Sequence, residues 1–240
     1  IDSKKILELF SENDVIVLAG FQGININSII TSLGRGGSDT TAVAIASAID
    51  ADRCDIYTDV DGVFTTDPNL EPKAKKINKV AYEEMLELSS MGTKVLQSRS
   101  VELAMKNNLP LQVLSSVSNL EGTYVVNEDQ LIEKEIVSGV SYNKNESKIT
   151  ISGIPDEPGI SARIFNLMAS NNINVDMIVQ NISQDGINAN MTFTVPLKDQ
   201  NLAKKIIDSN KNKINYKSLS IDDKITKISV VGMGMMSQTG

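Results

Sequence analysis

The chain has 240 residues, room for one large or two modest domains, and with 41% hydrophobic residues it is neither fibrous nor disordered. Thirty acidic against 23 basic residues give a net charge of −7, which argues against a nucleic-acid or membrane-surface binder. One cysteine and no histidine remove internal disulfides, multi-cysteine metal centres and every histidine-based nucleophile or acid–base device. Chemistry must rest on Asp, Glu, Lys, Arg, hydroxyls and backbone amides.

In chain order, Val15–Gly20 is a short apolar run expected as a strand. Asp39–Ala51 follows as a helix with Val43, Ala46, Ser47 and Ile49 at helical spacing after a hydroxyl-rich start suited to capping. Cys54–Val60 is the next expected strand, Ala81–Ser90 and Lys94–Asn107 are amphipathic helices, and Pro110–Ser115 is a further strand. This alternation implies a largely parallel, helix-covered sheet. Residues 119–147 are more polar, and the domain boundary is placed near 135–146. Beyond it the rhythm is strand (Lys148–Gly153), turn (Pro155–Gly159), helix (Ile160–Asn171), strands Val175–Ile182 and Ala189–Val195 around a turn at Gln184–Gly186, helix (Lys198–Asn210) and strand (Ile214–Ile221). That is the ferredoxin-like βαββαβ order. Thr226–Val231 opens something the chain does not complete.

The longest apolar runs, Val15–Ala19 and Ala42–Ala46, are too short to span a bilayer. No signal-like start is visible either, so a cytoplasmic location is expected. The chain opens on Ile1 and stops at Gly240 just after a strand-like run, which reads as a piece of a longer protein.

Four segments can carry chemistry. In Leu33-Gly-Arg-Gly-Gly-Ser-Asp-Thr-Thr-Ala42, three glycines permit close backbone approach and positive φ. The loop enters a helix whose open N–H groups favour an anion, and Arg35 adds a forked donor for carboxylate or phosphate. An acidic Asp39 at such a place suggests a second task, such as orienting an ammonium or a reacting group. The bland reading is a glycine turn with a cap. Tyr57-Thr-Asp-Val-Asp-Gly-Val-Phe-Thr-Thr-Asp-Pro68 closes an expected parallel strand, where open α/β sheets bind ligands. It reads as a nucleotide-facing loop or a plain turn, since the later ligands of a calcium loop are missing. In Ser90-Met-Gly-Thr-Lys94 a lysine at a helix start opposes the dipole unless a phosphate compensates. Finally, Pro155-Asp-Glu-Pro-Gly-Ile-Ser161 with Asn174-Val-Asp176 and Gln180 offers short polar groups and open amides for the zwitterionic head of an amino acid, or simply a turn with capping.

Gly34-Arg-Gly-Gly-Ser-Asp-Thr-Thr41, Tyr57-Thr-Asp-Val-Asp-Gly62, Thr66-Asp-Pro68, Tyr82-Glu-Glu-Met-Leu-Glu-Leu88 and Lys94-Val-Leu together resemble the aspartate kinase family, and the second half resembles its ACT regulatory domains. The resemblance implies an α/β chain: a partial amino-acid-kinase (carbamate-kinase-like) sheet with helices on both faces over residues 1–135. A ferredoxin-like ACT domain over 136–225 and the start of a second ACT module over 226–240 would follow. It implies transfer of the ATP γ-phosphoryl group to the β-carboxylate of L-aspartate, the first step toward lysine, threonine and methionine, with Mg2+ carried by the nucleotide. Arg35, Gly36, Gly37 and Ser38 would hold aspartate, with Asp39 near the reacting centre. Thr58, Asp59, Phe64, Asn69, Lys94 and Val95 would lie on the nucleotide side. Asp156, Gly159, Ile160, Ser161, Asn174, Val175, Asp176 and Gln180 match the effector site for lysine or threonine, which in related enzymes lies between ACT modules of paired chains. A homo-oligomer through the ACT domains is implied.

The family's early Lys-Phe-Gly-Gly-type phosphate segment does not occur here, Asn69 stands where Arg is usual, and Phe64 where Tyr is common. This chain alone is therefore expected to be inactive. The alternatives are a non-catalytic amino-acid-sensing fragment and another amino-acid kinase, such as one acting on glutamate or acetylglutamate.

Overall fold

The computed structural model describes residues 1–90, 95–131, 136–182 and 188–236. In chain order these form α1 (Ser3–Phe10), β1 (Gln22–Ile24), β2 (Ile30–Ser32), α2 (Gly37–Ala48), β3 (Cys54–Thr58), β4 (Lys79–Ala81), α3 (Tyr82–Ser90), α4 (Ser98–Lys106), β5 (Leu111–Ser115), β6 (Thr123–Val126) and β7 (Gly139–Asn143). There follow β8 (Glu146–Pro155), α5 (Ile160–Ala169), β9 (Asp176–Ile182), β10 (Asn188–Pro196), α6 (Gln200–Ser209), α7 (Lys211–Ile214), β11 (Ser218–Asp222) and β12 (Lys227–Val231). The chain is mixed α/β and divides into two compact units. One is Ile1–Tyr142 with the segment from Ile228 onward, and the other is Asn143–Lys227.

The sheet of the first unit runs β3-β5-β6-β4. β3 pairs with β5 in parallel and β4 with β6 in parallel, but β5 and β6 are antiparallel, so the sheet is mixed rather than largely parallel. The reversal falls in the polar stretch after residue 119, which holds β6 and β7 rather than a bare linker. Thr123 explains the placement of β6. Its buried hydroxyl accepts from the Val63 amide at 2.8 Å and donates to the Ile77 carbonyl at 2.5 Å. Polar side chains here satisfy neighbouring backbone instead of water. Helix faces supply the rest of the core, with Val43 from α2, Met85 and Leu88 from α3 and Val101 and Ala104 from α4 packed on Ile56, Leu111, Val113 and Val125. Truncating Met85, Leu88, Ile56 or Leu111 to Ala costs about 2–5 kcal/mol.

One expected strand is absent. Val15–Gly20 carries no β-ladder, and Val15 and Val17 are 78% and 92% exposed. An apolar, β-prone run becomes a strand only beside a partner strand, and none of the described residues pairs with it. A short antiparallel ribbon, β1 with β2, follows instead.

The second unit has the order β11-β8-β10-β9, with every neighbouring pair antiparallel. This is the expected ferredoxin-like arrangement. Ile149 and Ile151 point inward on alternate positions, and Ile154 is also buried although it breaks the alternation. A bulge at Gly153, whose φ is +69°, shifts the register opposite Ala189/Asn190 and returns Ile154 to the core. Ile160, Ile164 and Met168 of α5 and Ala203 and Ile207 of α6 cover that face, where Phe165 meets Phe193 edge-on with centroids 5.5 Å apart. The expected strand at Ile214–Ile221 begins later, at Ser218, because Lys211–Ile214 continues as helix. The expected turn at Gln184–Gly186 lies outside the described residues.

Candidate functional site

Gly36 takes the residue before α2 in the left-handed conformation, with φ of +70°. A Cβ there would lie 1.8 Å from Gln97 Cγ, so the position demands glycine twice over. α4 fixes the loop from the other side. Arg99 donates to the Leu33 carbonyl at 3.0 Å and to the Arg35 carbonyl at 2.8 Å. A cation in a helix's first turn opposes the dipole, and these two carbonyls are its compensation. Thr40 and Thr41 turn inward, donating to the Gly36 and Gly37 carbonyls at 3.0 and 2.7 Å, and Thr41 also accepts from the Phe21 amide. Their role is structural. Exposed Arg35 and Ser38 are left at the mouth of the helix with half-buried Asp39. Burial pushes the Asp39 carboxyl above its ordinary value, while hydrogen bonds from Ser38 and the amides of Asp39 and Gln97 pull it back less strongly. The structure thus gathers Arg35, Gly36, Gly37, Ser38 and Asp39 at one helix N-terminus, a setting for an anion.

β3 ends at Thr58, beside the end of its parallel neighbour β5. Ser116 caps the Thr58 carbonyl with its amide at 2.8 Å and its hydroxyl at 3.0 Å. Thr58 Oγ1 donates to the Asp59 carboxylate at 3.1 Å, and Ser118 holds Asp61 at 2.6 Å. This carboxyl end carries the polar groups expected of a ligand crevice. Phe64 is half-buried and bridges to Lys76 across the following hairpin. Exposed Asn69 is held in a turn by Asp67 Oδ1, which accepts from its amide and its side chain at 2.9 and 3.1 Å. Val95 packs against the core of the unit, so its side chain is structural. Lys94 lies outside the described residues. Among the described residues no group of three or more His, Cys, Asp or Glu side chains could hold a metal.

In the second unit Gly159, at φ +90°, precedes α5, with buried Ile160 anchoring the helix start. Ser161 donates to the Gln180 side chain at 3.1 Å, and Asp156, in the turn before α5, is exposed. Asn174 is exposed, Val175 packs on the core, and the Asp176 carboxylate is bound by the Lys227 ammonium. Lys227, Gln97, Arg99 and Ser116 were not singled out by sequence. Arg99, a cation in a helix's first turn, carried the one local signal. The Lys227 partnership holds the Asp176 carboxyl below its ordinary value, and burial raises that of nearby Glu146. Gln180 pairs with Met191 and Asp176 with Thr194, so they stand four residues apart along β9, about 13 Å at the regular strand rise and less across the irregularity opposite Thr192–Thr194. The eight residues form two groups, one around Ser161 and Gln180 and one around Asp176.

Comparison with known proteins agrees along the whole chain. Residues 1–115 match the amino acid kinase family and residues 149–210 an ACT domain. Aspartate kinase of Pseudomonas putida is 47% identical over 241 residues, covering 100% of this chain and 58% of its own length. The chain therefore spans little more than half of that relative. Clostridium acetobutylicum aspartate kinase superposes with a TM-score of 0.83 at 25% identity, over 97% of this chain and 54% of that one. E. coli aspartokinase III has been solved with aspartate and ADP in its R-state, and it superposes with a TM-score of 0.79 at 26% identity, over 99% of this chain and 53% of that one. The same enzyme with lysine and aspartate in its T-state gives a TM-score of 0.75 at 26% identity, over 96% and 50%. The glycine loop entering α2, the β3 crevice and the ferredoxin-like unit thus recur together in one set of relatives, and the chain belongs to the aspartate kinase family.

Proposed function

We propose that this chain is the ATP-side part of a cytoplasmic aspartate kinase and its first ACT domain, with residues 226–240 opening a second ACT module. The whole protein transfers the γ-phosphoryl group of ATP to the β-carboxylate of L-aspartate, giving 4-phospho-L-aspartate. The observation that carries this reading is the entry to α2, where open amides, Arg35 and a half-buried Asp39 meet on a loop locked by Arg99 and Gln97.

The reaction brings two anions together, so positioning and charge neutralisation dominate it and no histidine is needed. Arg35 grips the α-carboxylate as a fork, while the amides at Gly36 and Ser38 hold the substrate against the helix dipole and Gly37, its amide bonded to the Gly34 carbonyl at 3.0 Å, shapes the loop. Asp39 orients the substrate at the reacting end. Thr58 and Asp59 face the nucleotide, and Asn69 leaves one customary phosphate contact unmade. Mg2+ enters with ATP and supplies charge neutralisation at the phosphates. E. coli aspartokinase III, which binds aspartate, ADP and lysine in its solved states, supports the choice of ligands.

Lysine or threonine is the proposed effector. Because the Ser161–Gln180 and Asp176 groups are spread four residues apart along β9, one ACT unit alone offers an amino acid only one of them at close range. All seven residues of β9 are exposed, and pairing with a second ACT module in a homo-oligomer would bring unlike ends together.

The test is acyl-phosphate trapping with hydroxylamine on the full-length gene product, supplied with Mg-ATP and aspartate, glutamate or acetylglutamate in parallel. Hydroxamate with aspartate is the expected result. Product with the other acids alone would reassign the substrate, and silence with all three would overturn the reading.

A further inference from the structure

Glu84 is a buried carboxylate, 5% exposed, on α3. The proposed reaction does not use it. Its Oε2 accepts from the Ala81 amide at 3.3 Å, closing the helix start. Its Oε1 accepts two further bonds from residues distant in sequence, the Ser138 hydroxyl and the Met233 amide, the latter at 2.9 Å. Ser138 immediately precedes β7, the strand by which the chain enters the second unit after Tyr142. Met233 follows β12, the strand by which it returns at Ile228. The two strands pair with each other, and the Ser138 amide donates to the Val231 carbonyl at 2.8 Å. One oxygen atom therefore fastens both crossings.

The same ribbon holds the loop after β3. The Val140 amide donates to the Thr65 carbonyl at 2.6 Å, one residue beyond Phe64 and two before Asp67, which shapes the turn at Asn69. A Cβ on Gly139 would lie 2.9 Å from a Leu88 methyl and 3.3 Å from the Thr65 carbonyl, so β7 lies directly on α3 and on this loop. Charge fits the arrangement. A buried carboxylate is tolerated when donors surround it, and here three donors from three segments do so. A glutamine with its oxygen at the Oε1 position would keep both ribbon bonds and turn N–H groups only toward the Ala81 amide, so the clamp is tested by removing both oxygens.

We infer that Glu84 is a positioning residue that clamps the β7–β12 ribbon to the nucleotide-side loop, so that the state of the inserted ACT unit and the grip on ATP are read through one carboxylate. The link to ATP rests on the proposed function, whereas the clamp itself does not.

The test uses the full-length protein with Glu84→Met, which removes both acceptor oxygens, and, as a milder change, Ser138→Ala. Amide hydrogen exchange at Met233 and Val140 should accelerate about tenfold or more in folded Glu84→Met. In kinetics, KM for ATP should rise about threefold to tenfold while KM for aspartate and kcat move little. Effector inhibition should require about tenfold more amino acid. Ser138→Ala should shift each readout in the same direction by less. Unchanged exchange at both amides in a folded variant would overturn the clamp. An equal rise in both KM values, or unaltered inhibition, would overturn its coupling role. If the wild type makes no acyl phosphate, the proposed function fails, and the exchange measurement still decides the clamp.

Discussion

Gly36 and Gln97 approach so closely that a single added methyl group would lie 1.8 Å from the glutamine Cγ. The contact ties the entry of α2 to the segment before α4, and Arg99 reinforces it from the same helix. The loop is thus held as a finished shape before any ligand arrives, which spares binding the cost of ordering it.

Gly36→Ala meets both the steric contact and the left-handed backbone. It should destabilise the first unit by about 1–3 kcal/mol and raise KM for aspartate more than KM for ATP in the full-length enzyme. Denaturant titration and steady-state kinetics check this, and wild-type values in both would refute the assigned geometry.

Asp39 gives a pH prediction. Burial raises its carboxyl above the ordinary value near 3.8, so the folded state binds this proton more tightly than the unfolded state does. The associated stability is fully present below the unfolded value and is lost as pH rises through the folded one. Asp39→Asn, which cannot ionise, should therefore be the more stable protein at neutral pH and should lose that advantage in acid. Melting temperatures of both proteins from pH 3 to 8 would show two curves that converge at the acid end, and parallel curves would contradict the burial effect.

Asp176 should behave in the opposite sense. Lys227 holds its carboxyl below the ordinary value, so this stability is present above the unfolded value and disappears as pH falls through the depressed folded one. Lys227→Met should return the Asp176 titration toward 3.8, read by carboxyl carbon NMR. An unmoved titration would place the cause elsewhere.

Much of the second unit is legible in the sequence because one face of each element is buried. Ile160, Ile164 and Met168 recur at helical spacing, and Ile149 and Ile151 alternate. The failures have physical reasons. Val15–Gly20 has the composition of a strand, but composition does not supply a neighbour. Residues 119–147 read only as a more polar stretch with a domain boundary near 135–146, yet Thr123 satisfies buried backbone and Ser138 a buried carboxylate. The glycine loop could be read from Gly34–Asp39 alone. Its fasteners could not, since Gln97 and Arg99 lie some sixty residues on and only the tertiary fold brings them back. Asp176 and Gln180 look like one site in sequence because they are four residues apart, and a strand makes that spacing a separation.

The interruption of the first unit by the second also orders events in time. Val231 belongs to the core of the first unit, and Met233 reaches Glu84, but both are made after residues 143–227. On the ribosome the second unit emerges whole and can close on its own, while the first waits for β12. At 5–20 residues per second that wait is on the order of 4–17 s, during which Glu84 of α3 lacks its Met233 partner. Newborn chains are therefore most exposed to chaperones and proteases at the unit that begins at Ile1, and the unit Asn143–Lys227 matures first.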